Sequence, residues 1–268
     1  MSIRLIAVDI DGTLLTPERV ISQNVQKAIE EAKKQGVKVV LCTGRPLAGV
    51  INYLNALNLT EKGDYVLTYN GALAQEADTG KVLAHHTMSM TDFYEVEKMS
   101  RKIGVHLHTT TRDAIYTANR NISEYTVREA FIVGLPLKYR TIEEMDQDLM
   151  VSKMMMIDDP SILEKGIEQL PNWFFEKYTI LRSEPFFLEI LNKEASKGQA
   201  LKNLTDLLGL SAAEVMAIGD NENDIDMIEY AGIGVAVGNA VPKVKAVADV
   251  ITDTNVKDGV ASIIREHL

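Results

Sequence analysis

Continuous apolar, β-branched runs alternate along the first quarter of the chain with segments whose apolar positions recur at helical spacing. Ile3 to Val8 is the first run, and it stops at Asp9-Ile-Asp-Gly. Ser22 then stands where a helix N-cap is expected, Val25, Ala28, Ile29 and Ala32 share one helical face, and Gly36 stands at the position of a C-terminal stop. Val37 to Leu41 reads as a second buried strand, broken by Thr43-Gly-Arg-Pro. Val50, Ile51, Leu54 and Leu57 give the next helix its apolar face, and Tyr65 to Tyr69 is a third strand. Strands that are apolar on both faces and separated by helices predict a parallel sheet with right-handed crossovers, whose ligands bind beyond the carboxyl ends of the strands. The polar clusters Asp9/Asp11, Thr43-Gly44-Arg45 and Asn70-Gly71 each follow a strand, so all three are expected at one edge of that sheet.

From about residue 82 to 190 the rhythm changes. Short alternating stretches at 105–109, 114–118, 151–157, 178–181 and 186–191 mix with helical patterns near 91–103, 122–133 and 160–170, which predicts antiparallel α+β material. After Asn192 the first rhythm returns, with a helix over 197–208, a strand at Val215–Ile218, Gly219-Asp220, a helix over 223–231 and a strand at Ile233–Val237. The expectation is an α/β core built from residues 1–82 and 192–268, a doubly wound parallel sheet, with an α+β domain inserted at 83–191.

Composition narrows the function. The chain has 268 residues, 46% hydrophobic and 25% charged, enough apolar material for a core in each part. Its net charge of −10 argues against a nucleic-acid partner, which needs a basic face. The first apolar stretch is interrupted by Asp9 and Asp11, too soon for a signal peptide or a membrane span, so no membrane partner is expected. One cysteine, Cys42, excludes an internal disulfide and suits a cytoplasmic location.

Asp9 and Asp11 lie two apart at a strand end, where period-2 geometry aims both carboxylates the same way. Carboxylates that close repel and call for a cation or a shared proton. Gly219-Asp-Asn-Glu-Asn-Asp224 follows another apolar strand, and an oxygen-only donor set from Asp9, Asp11 and Asp220 suits Mg2+. Asn223 and Asp224 can equally be caps of the next helix. A phosphate at the same edge would find the Thr43 hydroxyl, close backbone approach at Gly44, a helix N-terminus and the point charge of Lys197. Arg45 and Asn70 sit at that edge as well, with substrate contact and packing equally open. His106 and His108 share a strand face, but without a third ligand nearby they are read as structural.

In order, Asp9-x-Asp-Gly-Thr, Thr43-Gly-Arg, Lys197 and Gly219-Asp-x-x-Asn-Asp resemble the four motifs of the haloacid dehalogenase-like (HAD) phosphohydrolases. With Thr68-Tyr-Asn-Gly-Ala and Phe187-Leu-Glu-Ile flanking the insert, the whole chain is similar to Cof-type sugar phosphatases, which implies a C2-type cap over a HAD core. The resemblance implies Asp9 as the nucleophile that forms an aspartyl-phosphate and Asp11 as the acid and base for leaving group and water. It implies Mg2+ on the Asp9 carboxylate, the Asp11 backbone carbonyl and Asp220, with Asp224 in support. Thr43, Gly44, Lys197, Asn223 and the Ile10 backbone N–H are then expected on phosphate, and the substrate is expected to be a small phosphorylated metabolite such as a sugar phosphate. A mutase that returns the phosphoryl group to sugar is the rival reading.

Overall fold

The structure is a computed structural model and describes residues 2–268. The chain runs through β1 (Leu5–Asp9), α1 (Gln23–Lys34), β2 (Lys38–Cys42), α2 (Ile51–Ala56), β3 (Tyr65–Thr68), β4 (Leu73–Glu76) and β5 (Val82–His85). It continues with α3 (Met90–Ile103), β6 (His106–Thr110), β7 (Ile115–Thr117), α4 (Glu124–Val133), β8 (Leu137–Tyr139), β9 (Lys153–Ile157), α5 (Pro160–Ile167), α6 (Asn172–Lys177), β10 (Tyr178–Glu184) and β11 (Phe187–Asn192). The last stretch holds α7 (Lys197–Leu207), β12 (Val215–Gly219), α8 (Ile225–Tyr230), β13 (Ile233–Ala236), α9 (Pro242–Val247), β14 (Val250–Ile251) and α10 (Gly259–His267). These elements form two compact units, one of Met1–Arg45, Val50–Ala84 and Ser196–Leu268, the other of Pro46–Gly49 and His85–Ala195.

The first unit is built on an eight-stranded sheet of order β14-β13-β12-β1-β2-β3-β4-β5. Every pair from β14 to β3 is parallel, and β4 joins β3 antiparallel. All residues of β1 and β12 are buried, which is why both read as unbroken apolar runs. Each buried Leu, Ile or Val there contributes about 1.5–3 kcal/mol. The α1 helix begins as its sequence suggests, with the Ser22 hydroxyl accepting from the Val25 N–H at 3.1 Å. The helix expected after Pro46 is broken: a 3-10 turn at Leu47–Gly49 precedes α2, and Val50 and Leu54 still turn into the core. Because the chain leaves β1 toward β2 on one side and returns to β12 on the other, β1 is the point where the winding reverses.

The second unit is a six-stranded sheet of order β10-β11-β9-β6-β7-β8, antiparallel except for the β7–β8 pair. Strand β9 is buried on both faces. Met154 and Met156 join Phe93, Val96, Leu163, Phe174 and Ile190 in one cluster, while Met155 and Ile157 pack with Phe187 on the opposite face. The fold is therefore α/β with a parallel core sheet plus an α+β unit, as the pattern implies. Among the described residues no helix is long and apolar enough to cross a membrane.

Candidate active site

Four strand ends lie side by side in the first unit. Register pairs Val8 with Ile218 and Asp9 with Cys42, so Asp9, Thr43 and Asp220 follow neighbouring strands. The turn after β1 depends on Gly12, whose φ of +88° places it where a Cβ would stand 2.4 Å from Asp220 Oδ2. Thr13 follows and donates its hydroxyl to Asp220 Oδ1 at 2.9 Å. The turn after β3 is left-handed at Tyr69 and Asn70, an unusual backbone for residues with a Cβ. Its Asn70 N–H donates to the Thr43 carbonyl at 2.9 Å, and Asn70 Oδ1 accepts from Asn223 Nδ2 at 3.0 Å. Gly71 closes that turn against the start of α7, where a Cβ would lie 2.0 Å from the Ser196 carbonyl oxygen. Three strand-end turns are thus tied to the helix that begins with Lys197.

Lys197 is 1% exposed, and its Nζ donates to Asp9 Oδ1 and Asp224 Oδ1, each at 2.6 Å. The other Asp224 oxygen accepts from the Asp220 and Asn221 N–H groups at 2.9 and 3.0 Å. With both oxygens engaged, Asp224 acts as a brace for Lys197 and for the turn after β12. Asp9, Asp220 and Asp224 offer carboxylate oxygens that lie within 4.8 Å of one another. Burial raises the Asp9 carboxyl well above the usual range, and the nearby charges of Asp224 and Asp220 raise it further, against the pull of Lys197. Asp220 is pushed up to about 6, first by burial and then by the charge of Asp224. The three carboxylates carry more negative charge than one lysine cancels. An all-oxygen set with that surplus fits a hard divalent cation such as Mg2+.

Asp11 points elsewhere. Arg45 donates to it through Nε at 2.8 Å and Nη2 at 2.5 Å, a bidentate pair, and the guanidinium lies 5.6 Å from the Tyr53 ring centre. Burial alone would lower the Arg45 pKa, but the Asp11 carboxylate holds it raised. Thr43 is buried and its hydroxyl accepts from the Arg45 N–H at 3.1 Å. A Cβ on Gly44 would come within 3.0 Å of the Asn70 amide, so this glycine lets two turns meet. Ile10 is buried in the turn that carries Asp11.

The model of the haloacid dehalogenase-like hydrolase family matches residues 6–264. The chain belongs to that family. It is 51% identical to a protein of Streptococcus pyogenes serotype M6 named "Putative phosphatase M6_Spy0533", over 99% of this chain and 98% of that one. It is 34% identical to the 5-amino-6-(5-phospho-D-ribitylamino)uracil phosphatase YcsE of Bacillus subtilis, over 99% and 96% of the two chains. Its fold matches the HAD subclass IIB sugar phosphatase BT4131 with a TM-score of 0.80 at 25% identity, covering 98% of each chain.

Within this haloacid dehalogenase-like chain, the expected residues Asp9, Ile10, Asp11, Thr43, Gly44, Arg45, Lys197, Asp220, Asn223 and Asp224 all fall in the first unit or at its strand ends. The structure adds Thr13, whose hydroxyl fixes Asp220, and Asn239, whose amide donates to the Gly12 carbonyl at 2.8 Å. Thr13 stands inside the Asp-x-Asp-Gly-Thr string and was open to recognition. Asn239 carries no local signal. His106 and His108 do not form a metal pair: the first bonds Asp158 at 2.7 Å and the second Thr126 at 3.1 Å.

Proposed function

We propose that this member of the haloacid dehalogenase-like hydrolase family is a cytoplasmic, Mg2+-dependent phosphatase that hydrolyses small phosphate monoesters, sugar phosphates foremost, through an aspartyl-phosphate on Asp9. The observation that carries the reading is the position of Asp9 at the end of the central strand, with Lys197 Nζ at 2.6 Å and Asp220 on the adjoining strand end. The sugar-phosphate preference draws support from the sugar phosphatase and the phosphoribitylaminouracil phosphatase it resembles.

In the first step an Asp9 carboxylate oxygen attacks phosphorus, the O–P bond to the substrate breaks, and the leaving oxygen takes a proton from Asp11. In the second step water attacks the same phosphorus, gives its proton to Asp11, and the bond to Asp9 breaks. Arg45 pairs with Asp11 while it is a carboxylate, after the first step, and releases it as the proton from water returns to it in the second. Lys197 fixes the attacking carboxylate and adds positive charge beside the phosphate. The Thr43 hydroxyl, the N–H groups near Gly44 and Ile10, and Asn223 bind the phosphate oxygens. Bound by Asp9, Asp220 and the Asp11 backbone carbonyl, with Asp224 in support, Mg2+ supplies charge neutralisation for the phosphate oxygens.

Asp9→Asn tests the nucleophile. It keeps size and hydrogen-bonding shape, so the variant should fold while steady-state release of phosphate from sugar phosphates falls by about a thousandfold or more. Near-normal release by the folded variant would overturn the assignment.

A further inference from the structure

The turn between β1 and α1 is held from outside by two asparagine side chains that no sequence motif marks. Asn239, in the loop after β13, donates through Nδ2 to the Gly12 carbonyl at 2.8 Å, and its Oδ1 accepts from the Asn255 N–H at 2.9 Å. Asn255, in the loop after β14, donates through Nδ2 to the Leu15 carbonyl at 2.7 Å, and its Oδ1 accepts from the Val256 N–H at 3.0 Å. Both ends of both amides are used. A backbone carbonyl can only accept, so these partners fix which way each amide faces. Gly238 lets the two loops meet: its N–H donates to the Asp253 carbonyl at 3.0 Å, and a Cβ there would lie 2.9 Å from the Thr254 nitrogen.

The tie spans two turns of the candidate active site. Strand β12 stands between β13 and β1, so the bond from Asn239 to Gly12 crosses the end of β12, where Asp220 follows. In the same loop the Val241 N–H donates to the Asp220 carbonyl at 2.9 Å. One short loop thus grips both turns, that of Asp220 by its backbone and that of Asp11 by a side chain. Gly12, between Asp11 and Thr13, makes the second grip necessary, because a glycine has the backbone freedom to leave its φ of +88°. Asn239 is exposed and Asn255 half-buried, so neither is there to fill the core. We propose, on the basis of the phosphatase reading above, that Asn239 and Asn255 are positioning residues, a single clamp that sets the spacing between the turn carrying Asp11 and the turn carrying Asp220. Neither touches the substrate. The clamp acts by preorganisation, removing conformers of the turn in which Asp11 stands away from the oxygen it must protonate.

Steady-state kinetics on a sugar phosphate, read together with thermal melting and NMR of the full-length protein, test the clamp. Asn239→Ala and Asn255→Ala are each expected to lower kcat by about tenfold with KM within about twofold of wild type, since misplacing a reacting group costs rate rather than binding. The bonds lie near the surface, so melting should fall by only about 2–4 °C. In the metal-free, isotopically labelled variants the Gly12 and Thr13 amide resonances should broaden as the turn samples other conformers. The double variant should lose about as much kcat as either single one, because the clamp fails once one amide is gone. Ser211→Ala is the control: it removes a cap before β12, at the far end of that strand, and should cost similar stability at wild-type kcat. Wild-type kcat or unbroadened turn amides in either single variant would overturn the clamp and leave the proposed function standing. So would a loss of about a hundredfold in the double variant, the product of independent effects, or an equal loss of kcat in Ser211→Ala. Wild-type protein that releases no phosphate from any sugar phosphate would instead overturn the proposed function, and the role of the clamp with it.

Discussion

Lys197 in the first unit and Lys153 in the second are both buried between carboxylates, yet their surroundings differ in one decisive respect. Lys197 contacts Asp9 and Asp224 at 2.6 Å, and Asp220 adds a third carboxylate to the group. Lys153 lies 3.2 Å from Glu189 and 3.9 Å from Glu129, on a face packed with Met155, Ile157 and Phe187. The titrating groups show what each cluster lacks. Asp9 and Asp220 are both raised first by burial and then by the charge of Asp224, so the first cluster is short of positive charge. In the second the displaced group is His108, driven down to about 3 first by burial and then by the charge of Lys153, so its imidazole stays neutral beside that lysine. Burial of an ion pair says little about function, whereas a third carboxylate with an oxygen within 4.8 Å of two others marks the first cluster as the candidate cation site.

Removing either lysine should break this comparison open. Lys197→Met is expected to destabilise the metal-free protein by about 3–5 kcal/mol, because two buried carboxylates lose their partner, and to abolish turnover. Denaturant unfolding should show Mg2+ restoring part of that stability. Lys153→Met is expected to lose a similar amount with no response to Mg2+. Equal recovery of both variants by Mg2+ would erase the distinction.

Gly12 tests the geometry of the first cluster without touching its charge. Gly12→Ala puts a methyl group 2.4 Å from Asp220 Oδ2 at a φ of +88°. Turnover should fall by about a hundredfold, as expected for a displacement of ångström size at a reacting centre. Wild-type kinetics in that variant would mean that Asp220 has no fixed part in the reaction.

The second cluster has an acid signature. His108 is buried and neutral when folded but protonates near 6.5 when unfolded, so its folded value is depressed to about 3. Its contribution is complete above pH 6.5 and is lost as the pH falls below that toward 3, with a limiting slope of about 1.4 kcal/mol per pH unit for one proton. Calorimetric melting from pH 7 to 4 should show this slope, and His108→Gln should flatten it. The smallest effect belongs to Gly36→Ala. That glycine has a φ of +81° with nothing within 4 Å of a Cβ, so the substitution should cost about 1 kcal/mol and leave turnover alone.

The parallel sheet and most of the candidate site were legible because their signals are local. Unbroken apolar runs mark β1 and β12, and a short polar string after each strand marks a turn at the sheet edge. The hairpin of β4 and β5 carries only a weak signal, since Val82-Leu-Ala is a short apolar run that the fold leaves exposed or half-buried. The short α6 and the terminal α10 were likewise not identified, although Val260, Ile263 and Ile264 are core residues. Nor could the sequence foresee that Arg45 holds Asp11 or that Lys197 bridges Asp9 and Asp224. Those pairs join residues 34, 188 and 27 positions apart, and only the meeting of four strand ends brings them together.

The central claim is that Asp9 carries the phosphoryl group between the two steps. Acid quenching during turnover of a sugar phosphate with Mg2+, followed by peptide mass spectrometry, tests it most directly. The account predicts one added phosphoryl group on the peptide containing Asp9, formed within a single turnover and absent from Asp9→Asn. Rapid turnover with no phosphorylated Asp9 at any quench time, or a phosphoryl group on another residue, would contradict it.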